Sequence, residues 1–258
     1  MGRITMSDHL TLAGVSKSFG GLRAVDDLTF AVRRGEIVGL IGPNGAGKST
    51  VFNLISGLLE PDTGSIRLGE QELVGSSPDY IARSGLGRTF QAPRAFLGMS
   101  VLDNVMAASD STGDRLWKSI IGSYHEEEEI IEARAMSLLE TVGLADNPDQ
   151  SSEELSGGEL RLLEIARQLV REPEILLLDE PTAGVSPSLQ DRLADVLREL
   201  HAAGITLLVV EHNLGFLLSL ADSVLVLDRG HLLAHGTPDE IRSNQDVVSA
   251  YLGGNSDT

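Results

Sequence analysis

Glu36-Ile-Val-Gly-Leu-Ile-Gly-Pro-Asn-Gly-Ala-Gly-Lys-Ser-Thr-Val-Phe-Asn-Leu-Ile-Ser-Gly57 decides the fold. Glu36–Ile41 is a short apolar run, read as a buried strand, and it runs into a glycine-rich turn at Gly42. A helix is expected from Lys48 to Ser56, stopped by Gly57. Between strand and helix, Gly42-Pro-Asn-Gly-Ala-Gly-Lys-Ser49 fits the G-x-x-x-x-G-K-[ST] phosphate-loop pattern completely, in the context that gives the pattern meaning. Glycines let successive backbone N–H groups turn toward a phosphate without a Cβ clash. The helix that follows adds its positive N-terminal end. Gly42, Pro43, Asn44, Gly45, Ala46, Gly47, Lys48, Ser49 and Thr50 are therefore the expected phosphate cradle. Lys48 supplies a point charge to the β- and γ-phosphates, and the Ser49 hydroxyl a ligand to Mg²⁺.

Working outward, the same alternation recurs. Leu10–Val15, Val25–Val32 and Ser65–Leu68 read as strands before and after the loop. Beyond Gln91 the character turns helical. Ser100-Val-Leu-Asp103 is a helix cap, and Glu127–Val142 places Ile131, Ala135, Leu138 and Val142 on one face, with Gly143 past its end. Helix Glu159–Val170 then precedes strand Ile175–Leu178. Leu189, Leu193, Val196, Leu197 and Leu200 form a helical stripe before strand Ile205–Val210. Ser223–Leu227 and His231–Ala234 are strands joined at Arg229-Gly230, and tail helices end near Leu252. Strand–helix alternation implies a parallel sheet flanked by helices. The expected organisation is one domain over 1–258: a core of 1–91 and 156–240, a helical subdomain at 92–155, and a tail at 241–258.

Ile175-Leu-Leu-Leu-Asp179-Glu180 is a buried strand ending in two carboxylates. Asp179 is the expected metal-facing acid. Glu180, one step on, can polarise a water at the γ-phosphate as general base.

Composition removes other chemistries. The 258 residues contain no cysteine, so disulfides, thiolate catalysis and cysteine-based zinc sites are excluded, and the six histidines lack metal-ligand spacing. The formal net charge of −18 opposes a nucleic-acid partner. Its origin has two readings, a compositional bias or adaptation to a salty cytoplasm that screens the self-repulsion. No stretch reaches the ~18 uninterrupted apolar residues of a membrane span: Leu214–Leu227 is broken by Ser219, Asp222 and Ser223. Met1–Leu10 carries Asp8 and His9 and has no signal-peptide core. A cytosolic protein is expected, with any membrane role exerted through a partner.

Leu155-Ser-Gly-Gly-Glu159, followed by the helical Leu160–Arg167, resembles the signature of the ABC ATPases, whose usual fifth residue is Gln. That resemblance implies an α/β P-loop NTPase (RecA-like) fold: a parallel sheet core, an N-terminal antiparallel β part and an inserted helical subdomain. It implies ATP and Mg²⁺ as cofactors. Phe19 matches the aromatic that stacks on adenine. Gln91, in Arg88-Thr-Phe-Gln91, matches the residue that touches Mg²⁺ or the attacking water and senses a membrane partner. His212 matches the switch histidine at the γ-phosphate. Ser156, Gly157, Gly158 and Glu159 open a helix N-terminus that meets the γ-phosphate of an opposite subunit, so a head-to-tail dimer, homo- or heteromeric, is implied. Where most ABC ATPases have Ser-Ala-Leu-Asp, this chain has Ala183-Gly-Val-Ser186 before Pro187, which removes any Asp-based contact across the dimer at Ser186.

The Ala-Gly-x-x-Pro element, the Phe52–Gly57 helix, Arg94-Ala-Phe96 and Tyr251-Leu-Gly together resemble the ATPases of branched-chain amino-acid importers, in particular the larger of the two that such importers pair. Transmembrane permease subunits, an extracytoplasmic solute-binding protein acting indirectly, and a place on the cytoplasmic face of the membrane follow from that likeness. ATPases of lipid or lipopolysaccharide trafficking share much of the pattern and remain an alternative. A soluble ABC ATPase of ribosomes or DNA repair is a second; one cassette, no heptads and the acidic charge speak against it. Intact Lys48, Asp179, Glu180, Gln91 and His212 speak against a degenerate, purely regulatory subunit.

Overall fold

The computed structural model describes residues 8–91, 94–109 and 124–253. Backbone contacts divide the chain into two units, one of 1–88, 174–181 and 198–258, the other of 89–173 and 182–197.

The first unit is built on three strands, β3 (Ile37–Ile41), β7 (Ile175–Asp179) and β8 (Thr206–Val210), in which every residue is buried. Continuous apolar runs of this kind belong in the middle of a parallel sheet covered on both faces. They lie in a six-stranded sheet of order β10-β9-β3-β8-β7-β6, completed by β6 (Leu86–Arg88), β9 (Ser223–Asp228) and β10 (His231–Gly236). All neighbours from β9 to β6 are parallel, and β10 returns antiparallel on β9 through Arg229-Gly230. Because β3, β8 and β7 are adjacent and parallel, the segments after Ile41, Val210 and Asp179 emerge at one edge. That carboxyl-end edge is where open α/β sheets bind ligands.

A four-stranded antiparallel sheet, order β2-β1-β4-β5, is formed by β1 (Asp8–Phe19), β2 (Leu22–Arg33), β4 (Thr63–Leu68) and β5 (Gln71–Glu72). One apolar cluster joins it to the parallel sheet: Leu10, Leu12, Val25 and Ile66 share it with Val38, Leu40, Leu177 and Leu208, and α1 (Lys48–Ile55) contributes Val51, Phe52, Leu54 and Ile55. At about 1.5–3 kcal/mol for each large side chain fully buried, α1 is held firmly beneath the glycine-rich loop. The strands β1 and β2 are longer than the apolar stretches Leu10–Val15 and Val25–Val32 suggest. Residues Ser16–Phe19 extend β1 through backbone pairing with Leu22–Val25, with register shifts along the way, although their side chains are not buried. Besides α1, this unit holds α2 (Pro78–Arg83), α7 (Leu214–Leu218), α8 (Pro238–Ser243) and α9 (Gln245–Gly253).

The second unit is helical. It contains α3 (Val101–Ala108), α4 (Tyr124–Val142), a 3₁₀ turn at Ser152–Glu154, α5 (Gly157–Leu169) and the first eleven residues of α6 (Pro187–Ala202). α3, α4 and α5 pack on one another around Val101, Val105, Ala135, Leu139, Leu163 and Ala166. Ser100 caps α3 by accepting from the Asp103 amide at 3.0 Å. Gly143 takes φ +76° just past α4. One stripe assignment is corrected: Leu139 is fully buried and Leu138 only half, since the four-residue step from Ala135 fixes the inward face. The helical unit also extends beyond 92–155 on both sides, taking in α5 and the start of α6.

Candidate functional site

The glycine-rich loop leaves β3 at Gly42, where a Cβ would stand 2.2 Å from the Leu227 carbonyl oxygen. Only glycine fits so close to the neighbouring strand. Gly47, the N-cap of α1, has φ +104° and no Cβ space either, with the Ala24 oxygen at 2.5 Å. No side chain caps α1, and its first turn holds no acid, so its end donors are left to a ligand. The far side of the loop is braced instead: the Gly230 amide donates to the Ala46 carbonyl at 3.0 Å. Asn44, Gly45 and Ser49 are exposed, while Ala46 and Lys48 are buried.

Lys48 donates from Nζ to the carbonyls of Gly42 at 2.7 Å and Pro43 at 3.1 Å. Burial lowers its pKa, and the carboxylates of Glu180 and Asp179 pull the other way. That pull comes from Asp179, the last residue of β7, and from Glu180 just after it. Asp179 is 6% exposed and pairs with Arg88 Nη2 at 3.5 Å. Arg88 is fixed from the other side, donating to Ser56 Oγ at 2.6 Å and lying 5.7 Å from the Phe52 ring centre. It therefore links Asp179 to the C-terminal end of α1.

Glu180 has φ +49°, a left-handed backbone unusual outside glycine, and its amide donates to the Val210 carbonyl at 2.9 Å. Such strain persists where surrounding structure enforces it and clusters at functional sites. Its Oε1 is 3.0 Å from His212 Nε2. His212 is held in turn by Glu211, 3% exposed, whose Oε2 accepts from the amides of His212 at 3.0 Å and Asn213 at 3.2 Å. A carboxylate paired with an imidazole in this way is chemically able to accept a proton from a water.

Among the described residues no group of three or more His, Asp or Glu is placed to hold a metal alone. The oxygen donors the sequence offers, a buried aspartate and the exposed Ser49 hydroxyl at a helix start, are few and hard. That set suits Mg²⁺, which keeps most of its shell from water and substrate phosphates. Phe19, at the β1–β2 hairpin, is 46% exposed, with Lys17 Nζ 5.9 Å from its ring centre. A ring this exposed suits stacking.

Gln91 and the signature residues belong to the helical unit. Gln91 is exposed, and its carbonyl accepts from Arg161. Ser156 is the N-cap of α5 in a full capping box: its Oγ accepts from the Glu159 amide at 3.3 Å, and Glu159 Oε2 accepts from the Ser156 amide at 2.8 Å and hydroxyl at 2.6 Å. Gly158 is packed so that a Cβ would meet Leu189 Cδ2 at 2.3 Å. The Ser186 side chain is exposed, 3.3 Å from the Ser188 hydroxyl.

Sequence reasoning missed Arg88, Glu211 and Tyr251 as individuals. Arg88 stands inside the quoted Arg88–Gln91 motif and Glu211 next to His212, and a charged residue flanking a buried strand was the available signal. Tyr251 was quoted only as part of the tail likeness, with nothing to tie it to the loop: the Gly42 amide hydrogen-bonds its phenol, which burial pushes upward in pKa and that bond draws back.

Comparison with known proteins gives a consistent result. A family model described as "ABC transporter" matches residues 25–183, and one described as "Branched-chain amino acid ATP-binding cassette transporter" matches 231–257. The high-affinity branched-chain amino acid transport ATP-binding protein LivG of Salmonella typhimurium is 41% identical over 250 residues, covering 95% of this chain and 97% of that protein. A probable LivG of Archaeoglobus fulgidus is 37% identical over 244 residues, covering 95% of each. Among solved structures, the ADP conformation of MJ1267, an ATP-binding cassette of an ABC transporter, superposes with TM-score 0.84 at 33% identity, covering 95% of this chain and 99% of that one.

Proposed function

The chain belongs to the ATP-binding subunits of ABC transporters, and on that premise we propose that it energises import of branched-chain amino acids or related small polar solutes. Its ATPase character belongs to the family. The cargo reading is carried by one observation above the rest: the likeness to branched-chain amino-acid transport ATPases runs over 95% of the chain and includes a tail-specific match at 231–257. Catalytic residues, common to every such motor, cannot supply that information, because the cargo site lies on other subunits.

In this reading Gly42–Thr50 wraps the phosphates and Lys48 moves from its own loop carbonyls onto the β- and γ-oxygens. Ser49, Asp179 and Gln91 are the residues that would hold Mg²⁺, which would supply positive charge against the phosphates. Glu180 takes a proton from the attacking water, and His212 contacts the γ-phosphate from its position beside Glu180. Phe19 stacks on adenine. Ser156, Gly157, Gly158 and Glu159 meet the γ-phosphate of a second ATPase subunit, homo- or heteromeric, arranged head to tail.

No helix among the described residues is long and apolar enough to cross a membrane. The subunit works at the cytoplasmic face through transmembrane permease subunits, and a solute-binding protein delivers cargo on the other side. Phe96, Leu97 and Met99 are 50%, 50% and 40% exposed, an apolar patch that supports docking of a permease helix there. Deleting the encoding locus should lower uptake of labelled leucine, isoleucine or valine, or of a small amide such as urea. Normal uptake of all of them, with a defect in lipid or lipopolysaccharide export, would overturn the cargo assignment and leave the ATPase in place.

A further inference from the structure

Arg88 is the last residue of β6 and Asp179 the last of β7. The two strands are parallel, with Arg88 in register with Leu177. Side chains two apart on a strand share a face, so Asp179 stands on the same side as Leu177. A long side chain at Arg88 can therefore reach forward to it. Nη2 lies 3.5 Å from Asp179 Oδ2, and each side chain is only 9% exposed.

The guanidinium is also fixed from the other side. Ser56, the C-cap of α1, donates its hydroxyl proton to the Phe52 carbonyl at 2.8 Å. Its oxygen is left to accept, and Arg88 Nη1 donates to it at 2.6 Å. The Phe52 ring centre is 5.7 Å from the guanidinium carbon. A cation beside the last turn of a helix also meets the negative end of the dipole. These contacts hold Arg88 in place by the chain's own groups. Lys48 attracts Asp179 as well, but its ammonium bonds the Gly42 and Pro43 carbonyls. Arg88 touches the carboxylate directly.

A carboxylate this buried is costly to desolvate, and a guanidinium offsets that cost only while both partners are present. We propose that Arg88 is a positioning residue that sets how tightly Asp179 takes a divalent cation. This rests on the metal reading of Asp179 given above. The guanidinium has two effects of opposite sign. It supplies the counter-charge that lets the chain fold around an ionised Asp179. It also repels any second cation drawn to the same carboxylate. At an effective dielectric of about 20, a unit charge a few ångströms away changes binding severalfold or more. Repulsion therefore outweighs what orienting one carboxylate contributes, and Mg²⁺ is held more weakly than by the same oxygens without Arg88. A weaker hold favours release of the cation together with the product nucleotide.

The test uses the full chain. Without nucleotide, Arg88→Met keeps an unbranched side chain against Phe52 but removes the counter-charge of Asp179, and melting should drop by roughly 5–15 °C. Asp179→Asn should lower it too, because the guanidinium then loses its partner. The double variant should melt no lower than either single one, since a buried pair has been replaced by two neutral groups. The second measurement is ATP affinity by calorimetry in the Glu180→Gln background, once with Mg²⁺ and once with EDTA. The ratio of the two affinities should rise threefold or more on Arg88→Met. A merely structural role would weaken both affinities alike and leave their ratio unmoved. Should Arg88→Met fail to fold, Arg88→Gln carries the same test, being neutral yet able to bond Ser56. An unchanged or lower ratio, or additive melting losses in the double variant, would overturn the inference alone. If Asp179→Asn leaves the ratio at its parent value, the metal reading of Asp179 fails and this inference with it.

Discussion

The two helix N-termini assigned to phosphate, those of α1 and α5, are built in opposite ways. α1 starts at Gly47, with no side-chain cap and no acid in its first turn. α5 starts at Ser156, with a complete capping box and Glu159 in its first turn. At α1 the sequence leaves the orphan amides to a ligand and places Lys48, itself buried, among them. At α5 the amides of Ser156 and Glu159 are already taken, and a carboxylate occupies the positive end of the helix. The first can hold an anion by itself. The second has its cap closed by its own side chains, and in the proposed dimer it would meet a phosphate held by another subunit. In the proposed function, binding and assembly would thus be separated between two helix ends.

The largest effect should come from breaking the open end. Lys48→Ala removes the charge and leaves the uncapped helix. If the helix end alone were sufficient, nucleotide affinity would survive. We expect no measurable ATP binding by calorimetry at millimolar nucleotide, and retained affinity would contradict the role given to Lys48.

Glu180→Gln comes next. The amide cannot accept a proton from water, so turnover should fall by roughly 10²–10⁴-fold, the usual worth of a general base. ATP binding should persist, and a nucleotide-bound dimer should accumulate on size-exclusion chromatography. Parent-level hydrolysis in this variant would remove Glu180 from the base position. The trapped dimer also provides the state in which the capped end of α5 faces a phosphate.

In that background Ser156→Ala sharpens the comparison. Loss of an N-cap hydroxyl costs about 1 kcal/mol of stability, visible as a drop of a few degrees in melting temperature for a domain of this size. Dimerisation should fall further than stability does if, as proposed, the hydroxyl also donates to the opposite γ-phosphate. Equal ATP-dependent dimerisation with and without the hydroxyl would make Ser156 a cap and nothing else.

Much of the contrast was legible in the sequence. Glycine spacing around Lys48, the apolar run before Asp179 and the Ser-x-x-Glu spacing of the cap are local signals, and β3, α1, β7 and α5 follow them closely. What escaped was short or long-range. β5 is two residues and β6 three, with Gly87 in the middle of β6, so neither carries enough periodicity to register. α2 is six residues behind a Ser77-Pro78 start, too short for a helical stripe. The Arg88–Asp179 pair joins residues 91 apart in sequence, and the Arg161–Gln91 bond spans 70. Such contacts exist only once the strand order and helix packing are fixed. The composition of each partner gave no hint of the other.

The smallest expected effect is the most discriminating. Glu159 stands where most of the family has Gln, and Gln satisfies a capping box equally well by geometry. Glu159→Gln therefore changes charge at the helix end and little else. The uncharged side chain loses its attraction to the helix dipole, below about 1 kcal/mol at a partly exposed site, so the monomer should melt slightly lower. The same change removes a negative charge from the surface that meets a γ-phosphate, so ATP-dependent dimerisation in the Glu180→Gln background should tighten a fewfold at low salt. Stability and assembly should move in opposite directions, which a purely structural role for Glu159 cannot produce. The gain should shrink in molar KCl, where the screening length falls to about 3 Å. If dimerisation weakens in step with melting temperature, or if the gain is indifferent to salt, the carboxylate at α5 is a helix cap that the incoming phosphate does not sense, and the contrast between the two helix ends reduces to how each is closed.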